Sequence, residues 1–256
     1  MEEKKTSLTD WAATGAAVGG VLGTMFVYDV LQRLASPFSD TFQQRVVSSM
    51  ARNINRFASI AAPFQVEGLE HVDLKGQYII ASNHQSMFDI SIVSSVLWQQ
   101  APRYVAKSNL TRGIPGVSYN LRHGGSALID RANPGQAQEA ISALGKRAME
   151  HGFSVVIFPE GTRSKTGHMC SFRETGLRAL ITAMPGVPVL PATSSGGSRF
   201  FSKNMKPILR DCEVSLRFHP AVPAADPSDK EGFTAFVRQL EDTVRNSLPV
   251  EFQEPL

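Results

Sequence analysis

The amino-acid sequence predicts an α/β fold in which a mixed, mostly parallel sheet is flanked by helices and preceded by an N-terminal two-helix membrane-associating segment. Two observations predict this fold. After Pro63, short apolar runs alternate with stretches of helical periodicity, a pattern typical of a sheet covered by helices. Before Pro63, an uncharged apolar stretch is followed by a basic stretch with helical spacing. We therefore divide the chain into an N-terminal helical membrane-docking segment, residues 1–62, and an α/β domain, residues 63–256.

Composition narrows the class of protein. Of the 256 residues, 42% are hydrophobic and 19% are charged, as in a globular protein with rather few charges. The formal net charge of +3 is compatible with anionic lipids or phosphorylated substrates, and it is too small to indicate a nucleic-acid partner. Cys170 and Cys212 are the only cysteines, and no CxxC or histidine pair has metal-ligand spacing. We expect two reduced thiols in a cytosol-facing protein, and no metal site.

The first helical stretch, residues 11–28, is uncharged and mostly apolar. Its length lies at the lower limit for crossing a bilayer, and its many glycines and alanines reduce its hydrophobicity. Two interpretations fit this stretch: a short helix embedded in or lying on a membrane, and a helix buried through small-residue contacts. A secretory signal is not predicted, because residues 1–5 have no net positive charge and no clear cleavage site follows.

The second stretch, residues 40–62, has the pattern of a basic amphipathic helix. Its apolar face is formed by Val46, Val47, Met50, Ile54, Phe57 and Ile60. Arg45, Arg52 and Arg56 lie on a neighbouring face. This pattern suits a helix lying on an anionic membrane surface. It also fits a helix that packs on the main domain and leaves a solvated arginine edge.

Seven strands and four helices are predicted after Pro63. The strands are residues 64–67, 78–82, 103–106, 126–129, 154–158, 187–192 and 213–218. The helices are residues 88–98, 134–150, 172–184 and 229–248. Asn133 and Pro134 supply a cap and a first-turn residue for the second of these helices. Ser228 and Glu231 form a capping-box pattern at the start of the last one.

His84 and Asp89 are the first candidates for chemistry, because they follow an apolar strand of an open α/β sheet. Residues five apart on one helix cannot readily touch. We therefore place His84 in the turn after the strand and Asp89 on the first turn of the next helix. The carboxylate then orients the imidazole, which acts as a general base on a substrate hydroxyl. A pair that only caps the helix is the alternative.

A second polar cluster, residues 160–163, also follows an apolar strand. Gly161 allows the backbone to approach a ligand closely, and the planar guanidinium of Arg163 matches phosphate oxygens. Glu160 is expected to orient Arg163 or to bond substrate hydroxyl groups. Further cations between the clusters predict an electropositive cleft: Arg103, Lys107, Arg112, Arg122 and Arg131. A salt bridge at a strand end is the alternative for residues 160–163, and solvated surface is the alternative for the other cations.

Several chemistries are excluded by motif. The sequence has no GxSxG nucleophile elbow, no GxxxxGK[ST] phosphate loop and no GxGxxG dinucleotide loop. It also has no cluster of acids at metal-binding spacing. A mechanism without a metal is therefore favoured.

With these residues in hand, the chain resembles the glycerolipid acyltransferase family, specifically its bacterial 1-acyl-glycerol-3-phosphate (lysophosphatidic acid) acyltransferases. Four sequence blocks carry the resemblance, and they occur in the order of the family. The blocks are NHQSMFD at residues 83–89, GSALIDR at 125–131, FPEGTR at 158–163 and VPVLP at 187–191. The first block is similar to the NHxxxxD pattern of the family. The resemblance covers roughly residues 64–220, so the α/β domain is identified as an acyltransferase domain.

The resemblance implies that a fatty acyl group is transferred from a thioester to the free sn-2 hydroxyl of 1-acyl-glycerol-3-phosphate, which gives phosphatidic acid in phospholipid biosynthesis. His84 is then the general base and Asp89 its orienting carboxylate. The residues implied to bind the acceptor and its phosphate are Glu160, Gly161, Thr162, Arg163, Arg131 and Lys107. Those implied to shape the acyl pocket are Val187, Pro188 and Pro191. Backbone amides around Gly161 and Thr162, or Asn83, would stabilise the oxyanion.

The resemblance also implies partners and a location. The co-substrate is a thioester of acyl carrier protein or coenzyme A, and no other cofactor and no metal are implied. Membrane lipids are the expected partners, and nucleic acid is not. The two N-terminal helices would dock the enzyme on the cytoplasmic face of the inner membrane.

Three other functions stay open at this point. The acceptor is alternatively a lyso-ornithine lipid, another lysophospholipid or glycerol 3-phosphate, and the sequence does not separate these. A non-catalytic lipid-binding membrane protein is an alternative of another class, although a binder has no use for a base paired with a carboxylate. A thioesterase-like hydrolase is the third alternative, although it gains little from a basic cleft.

Overall fold

A single seven-stranded sheet forms the centre of the molecule. The computed structural model describes residues 7–164, 166–200 and 213–253. The strands are β1 Phe64–Glu67, β2 Ile79–Ser82, β3 Arg103–Lys107, β4 Ala127–Ile129, β5 Val155–Ile157, β6 Val189–Ser195 and β7 Val214–Phe218. Their order across the sheet is β1-β7-β6-β2-β5-β3-β4. The β6–β7 pair is antiparallel and the other pairs are parallel, so the predicted fold class is confirmed.

The helices cover both faces of the sheet. Their bounds are α1 Leu8–Ala35, α2 Asp40–Ala58, α3 Phe88–Val96, α4 Val117–His123, α5 Pro134–His151, α6 Glu174–Ala183, α7 Gly197–Phe200 and α8 Lys230–Arg245. The four helices predicted after Pro63 are present as α3, α5, α6 and α8, whereas the short helices α4 and α7 were not predicted. The side chain of Asn133 caps α5 as predicted, by accepting the N–H of Gln136.

The predicted cap of the last helix is wrong by one residue. Asp229, not Ser228, accepts the N–H of Gly232 and begins α8. Ser228 instead donates its backbone N–H and its hydroxyl to the carboxylate of Asp226. The serine is thus part of the preceding turn.

Strands β2 and β5 divide the interior into two cores. Ile79 and Ala81 of β2 face a core shared with α5, α6 and α8. Ile80 faces the other core, which includes residues of α2 and α3. Successive side chains of a strand point to opposite faces, so a strand covered on both faces needs a continuous apolar run. This agrees with β2 and β5, in which every residue is buried and all but Ser82 are apolar.

The parallel register brings polar turns to one edge. Ala81 of β2 is level with Ile157 of β5 and with Pro191 of β6. All three strands run in the same direction, so the chain leaves them at the same edge of the sheet. The turns that carry residues 83–89 and 158–164 therefore lie side by side, next to the end of β6.

The two N-terminal helices pack against each other and against the domain. Met50 and Ile54 of α2 are buried in the core on the α3 side. The Asn55 amide nitrogen donates to the Ser91 carbonyl at 3.0 Å, and the Ser91 hydroxyl donates to the Asn55 amide oxygen at 2.7 Å. Much of the apolar face expected to lie on a membrane is thus used against the domain. The exposed arginines of this helix match the alternative of a packed helix with a solvated edge: Arg45, Arg52 and Arg56.

Helix α1 instead exposes apolar side chains to the outside. Those most exposed on its second half are Phe26, Val27, Val30 and Leu34, with Leu34 at 63%. Among the described residues, this one helix is long and apolar enough to cross a membrane, and only 17% of its most apolar window is buried. Its burial through small-residue contacts is confined to a few positions such as Ala17 and Ala35.

Two sequence predictions fall partly outside the described residues. Cys170 is an exposed free thiol, whereas Cys212 lies outside the described residues. The opening residues 1–5, which were used to argue against a secretory signal, also lie outside them.

Candidate active site

His84 and Asp89 meet at the carboxyl edge of the sheet. His84 lies in the turn after β2, and Asp89 lies on the first turn of α3. The imidazole Nδ1 is 2.8 Å from the Asp89 Oδ2 atom. With the proton on Nδ1, that nitrogen donates to the carboxylate and Nε2 keeps a lone pair. The His84 side chain stays partly accessible, at 13% exposure, and its ring stacks on that of Phe158 with the centroids 4.0 Å apart.

Asp89 is held on all sides by hydrogen-bond donors. Its Oδ2 atom also accepts the backbone N–H groups of Gln85 and Ser86, each at 2.8 Å. Its Oδ1 atom accepts the hydroxyl of Ser194 at 2.6 Å. The carboxylate is 1% exposed, so these bonds replace the water that it loses. Such a group can hold the imidazole in one orientation.

Ser194 is a site residue that the sequence reasoning missed. It lies on β6, 105 residues after Asp89, and no local motif marks it. The side chain of Asn83 fixes its backbone, by accepting the Ser194 N–H at 2.7 Å and donating to the Ser194 carbonyl at 2.8 Å. Asn83 is buried and bound to β6, so its side chain is not placed to stabilise an oxyanion as the sequence analysis suggested.

Glu160 contacts the backbone of the catalytic turn. Its Oε1 atom accepts the N–H of His84 at 2.6 Å, and its Oε2 atom accepts the N–H of Cys170 at 2.8 Å. The Ser164 N–H in turn donates to the His84 carbonyl at 2.7 Å. The expectation that Glu160 orients Arg163 or bonds the acceptor is therefore not supported, because both of its oxygens are used by backbone groups.

Burial dominates the titration of Glu160. The side chain is removed from water, and this raises its pKa from 4.5 to about 7. The N–H groups of Cys170 and His84 oppose the increase, and the nearby charge of Asp89 adds to it. This carboxyl group therefore titrates near neutral pH.

Gly161, Thr162 and Arg163 form the turn that follows Glu160. Gly161 has a φ of +70°, which a side chain rarely tolerates, and its N–H donates to the Phe158 carbonyl at 3.0 Å. That amide closes the turn, so it is not available to an oxyanion. Thr162 and Arg163 are exposed beyond it.

Arginine side chains from three segments converge near this turn. The pKa of Arg131 lies below its ordinary value, because nearby protein atoms displace part of the water around this exposed side chain and the charges of Arg173 and Arg163 are close to it. Arg173, just before α6, was not predicted. Lys107 is exposed at the carboxyl end of β3, where it is level with Ile129 at the end of β4. The predicted cations Arg131, Arg163 and Lys107 therefore all lie on the edge where His84 lies.

Two other predicted cations lie elsewhere. Arg103 begins β3 at the opposite edge of the sheet, where it is buried and donates to Asp40 at 2.7 Å. Arg122 donates to the Thr111 carbonyl beside α4. Both therefore have structural partners and contribute little to a cleft at His84.

The predicted acyl-pocket residues are not beside His84. The Ile79 N–H donates to the Pro188 carbonyl at 3.0 Å, which puts Val187 and Pro188 at the amino end of β2 and β6. The carboxyl end of β2, Ser82, lies three residues and so about 10 Å further along the strand direction at about 3.3 Å per residue, and His84 follows it. Pro191 is buried inside the sheet, level with Ala81. These residues thus belong to the framework of the domain.

A narrow apolar crevice lies closer to the site. Its lining includes Phe64, Phe88, Ile92 and Val214, between α2, α3 and the edge of the sheet. It also includes Gly197, where a Cβ atom would lie only 2.9 Å from the Ser86 Cβ and 3.3 Å from the Asp89 Oδ1. The crevice therefore ends against the turn that holds His84. No group of three or more metal-ligating side chains occurs within the described ranges.

Comparisons with known proteins agree with this geometry. The chain is 29% identical over 191 residues to 1-acyl-sn-glycerol-3-phosphate acyltransferase alpha of Mus musculus, which covers 74% of this chain and 64% of that protein. It is 30% identical over 192 residues to the Homo sapiens protein of the same name, with the same coverage. The protein of Cocos nucifera named 1-acyl-sn-glycerol-3-phosphate acyltransferase is 27% identical over 194 residues, which cover 76% of this chain and 60% of that protein. The chain thus spans somewhat less than two thirds of these relatives.

A solved structure and a family model complete the comparison. The crystal structure of the 1-acyl-sn-glycerophosphate (LPA) acyltransferase PlsC from Thermotoga maritima superposes with a TM-score of 0.72, and 93% of each chain is covered. The identity to it is 21%, so this likeness establishes the fold. A family model described as Acyltransferase matches residues 63–195, which is more than half of the sequence and includes both polar turns. The chain therefore belongs to the acyltransferase family.

Proposed function

We propose that this protein is a 1-acylglycerol-3-phosphate O-acyltransferase, which moves a fatty acyl group from a thioester to the sn-2 hydroxyl of 1-acyl-glycerol-3-phosphate and so makes phosphatidic acid for phospholipid biosynthesis. One observation carries the proposal. The His84 imidazole is bound to a buried carboxylate 2.8 Å away, on the edge of the sheet that also gathers arginines. A base beside an anion site suits a substrate with a hydroxyl and a phosphate.

In the proposed reaction, His84 acts directly on the acceptor. Nε2 takes the proton of the hydroxyl while its oxygen attacks the carbonyl carbon of the thioester. The carbon–sulfur bond then breaks, and the departing thiolate takes the proton from the imidazolium and leaves as a thiol. Asp89 stabilises the imidazolium and keeps the proton on Nδ1 in the resting state. The step needs no acyl-enzyme, and its co-substrate is the thioester of acyl carrier protein or coenzyme A.

We assign the acceptor phosphate to the cations at this edge. Arg163 and Arg131 present planar guanidinium groups, which bond phosphate oxygens in pairs, and Lys107 adds a third charge. The relatives named above carry glycerol-3-phosphate in the names of their substrates, in agreement with such a site. An anion of this kind relieves the repulsion between neighbouring cations.

The acyl chains need apolar surface next to the base. The crevice lined by Phe88, Ile92 and Val214 meets the catalytic turn at Gly197, so we assign the entry of an acyl chain to this face in place of the residues predicted from the VPVLP block. Its free volume is only about 10 Å³, so α2 and α3 must move apart before the chain can enter. Burying each methylene of such a chain is worth about 0.8 kcal/mol.

We further propose that residues 1–62 dock the enzyme on the cytoplasmic face of the inner membrane. The outward side chains of α1, such as Phe26 and Leu34, supply apolar area. The exposed edge of α2, with Arg45, Arg52 and Arg56, supplies charge for anionic headgroups, each worth about 1 kcal/mol near the surface. Acceptor and product are membrane lipids, so docking would bring them to the site.

The test is an acyl-transfer assay with the purified protein, residues 1–256, in detergent. Acyl-CoA and acyl carrier protein thioester are offered in turn, with 1-acyl-glycerol-3-phosphate, lyso-ornithine lipid, another lysophospholipid and glycerol 3-phosphate as acceptors. We expect phosphatidic acid as the main product. His84→Ala should lower the rate about 10²–10⁴-fold and still bind vesicles that contain anionic lipid, because it removes only the base.

His151→Ala is the matched control, since it removes an exposed histidine at the end of α5. Its rate should stay within twofold of the starting protein. Full activity of His84→Ala would remove the proposed base. If another acceptor is acylated faster, the proposal of acyl transfer stands and the proposed acceptor is wrong.

A further inference from the structure

We propose that Arg173 is a further acceptor-binding residue, which completes a site of three guanidinium groups and makes the enzyme prefer a phosphomonoester headgroup over a phosphodiester. The inference rests on the proposed function and adds to it the residue that selects among phosphorylated acceptors. Arg173 lies outside the sequence blocks from which the other site residues were predicted.

The first support is the position of the side chain. The Arg173 N–H donates to the Pro159 carbonyl at 3.0 Å, which fixes the residue at the carboxyl end of β5. Its guanidinium carbon lies 3.5 Å from the place that a Cβ atom would take on Gly161. The guanidinium group therefore lies over the turn that carries Arg163. Because residue 161 is a glycine, the Arg173 guanidinium group can lie close to the backbone of this turn.

The second support is the balance of charge. Arg131 is close enough to both Arg163 and Arg173 for their charges to disfavour its own. In the described part of the chain, no carboxylate forms a salt bridge with any of these three arginines.

The neighbouring acids are already engaged. Glu160 accepts two backbone N–H groups, and Glu174 bonds Arg178 and Thr234. Asp130 accepts the N–H of Ala132. The protein thus gathers three exposed like charges without pairing them to a carboxylate, so an anion bound among them would relieve their repulsion.

The number of cations indicates which anion. A phosphomonoester carries nearly two negative charges at pH 7 and offers three terminal oxygens, whereas a phosphodiester carries one charge and offers two. Arg163, Arg131 and Lys107 already match the single charge and two terminal oxygens of the diester. A further fork gains most from the second charge and third oxygen of the monoester, so its removal should weaken that acceptor more than the diester.

The experiment compares two acceptors with one acyl-CoA donor in mixed micelles of fixed composition. The acceptors are 1-acyl-glycerol-3-phosphate and lysophosphatidylglycerol, and the variants are Arg173→Ala and Arg173→Lys. For Arg173→Ala we expect kcat/KM with the monoester to fall at least tenfold, mainly through KM, and to fall less than threefold with the diester. Arg173→Lys should recover part of the loss, since it restores the charge without the planar fork.

Arg147→Ala is the matched control, because Arg147 is an exposed arginine on α5 that donates to the Gly125 carbonyl, ahead of β4 and away from the site. It should leave the ratio of the two kcat/KM values unchanged. Equilibrium binding of 1-acyl-glycerol-3-phosphate without donor is measured on the same proteins, and thermal melts show whether each variant is folded.

The outcomes separate the two proposals. An unchanged acceptor ratio in folded Arg173→Ala, or an equal loss with both acceptors, would overturn the role of Arg173. If the starting protein acylates neither acceptor and yet binds the monoester in a manner that depends on Arg173, the inference holds and the proposed function fails. If Arg173→Ala does not fold, the ratio and the binding measured with Arg173→Lys decide, and values equal to those of the starting protein count against the inference.

Discussion

Two buried carboxylates bracket His84, and they are held in different ways. Asp89 binds the imidazole, whereas Glu160 binds the backbone N–H of the same residue. Each is 1% exposed. Asp89 accepts a hydroxyl, two backbone N–H groups and the imidazole, while Glu160 accepts two backbone N–H groups only. The pKa of Glu160 is raised to about 7 by its burial, so its ionised form is costly at neutral pH.

The two carboxylates therefore have different roles: Asp89 orients the His84 imidazole, whereas Glu160 holds the backbone of His84 in place. Asp89 bonds the backbone of the turn that carries His84, and it also bonds the imidazole itself. Its charge therefore acts directly on the imidazole when that ring gains or loses a proton. Glu160 follows β5 and connects two turns through the N–H groups of His84 and Cys170. A substitution of Glu160 should therefore shift the backbone of His84, while the bond between its imidazole and Asp89 remains. The variants below test this distinction, from the largest expected effect to the smallest.

Replacing Asp89 by Asn should have the largest effect. The amide keeps the shape and removes the charge that stabilises the imidazolium, and it no longer fixes the imidazole tautomer. We expect kcat to fall about 10³-fold with little change in the KM of the acceptor. Steady-state rates in detergent check this, with Asp73→Asn as a control on a carboxylate that bonds only the backbone of its own turn. A loss below tenfold would contradict the orienting role.

The contacts of Asp89 also show how much of the site was predictable. His84 and Asp89 are five residues apart, so a strand followed by a helix brings them together whatever the rest of the fold does. Ser194 reaches the same carboxylate from 105 residues away, and only the pairing of β2 with β6 brings it there. Arg173 likewise depends on where α6 begins relative to β5. Neither position follows from spacing along the chain.

Strand direction explains the predictions that failed. Arg103 and Lys107 are the two ends of β3, and only the carboxyl end is at the site. Val187 and Pro188 precede β6 and are therefore at the far edge, although their sequence block belongs to the family pattern. The fold class was predictable because apolar runs and helical periods are local. To predict the edge of the sheet on which a side chain lies, the strand bounds and the register must also be known.

The second variant, Glu160→Gln, tests the titration of the other carboxylate. The native pKa of about 7 is above the ordinary value of 4.5, so the folded chain holds a proton that the unfolded chain releases between these values. The free energy of unfolding from this group is therefore highest below about pH 4.5 and is lost as the pH rises to about 7. At about 1.4 kcal/mol per pKa unit, the loss is about 3.5 kcal/mol at most.

Urea unfolding at pH 5 and pH 8 measures this contribution as a difference between proteins. The starting chain should lose about 2.5 kcal/mol more than Glu160→Gln over this range, because the amide cannot ionise and the other groups cancel. Glu139→Gln, at an exposed position on α5, should behave like the starting chain. The same pH dependence in all three proteins would show that Glu160 does not titrate in this range.

Ser194→Ala should have the smallest effect and probes how much the long-range contact adds to the local one. Removing the hydroxyl takes one of the donors from the buried Asp89 carboxylate, and a hydrogen bond to a charged group is worth about 1.5–3 kcal/mol. The bonds from His84, Gln85 and Ser86 remain, so the carboxylate stays close to the imidazole. We expect kcat to fall about tenfold, with the KM values of both substrates within twofold.

The neighbouring residue supplies the control for that experiment. Ser195 follows on the same strand and points to the other face, so Ser195→Ala removes a hydroxyl without touching Asp89. The backbone of Ser194 stays bound to Asn83 in both variants, which limits changes in the strand. A tenfold loss in Ser194→Ala alone shows that β6 helps to orient His84 through Asp89. Equal rates in the two folded variants would mean that the bonds from Gln85 and Ser86 are enough to hold Asp89 against His84, and that the Ser194 hydroxyl contributes only packing.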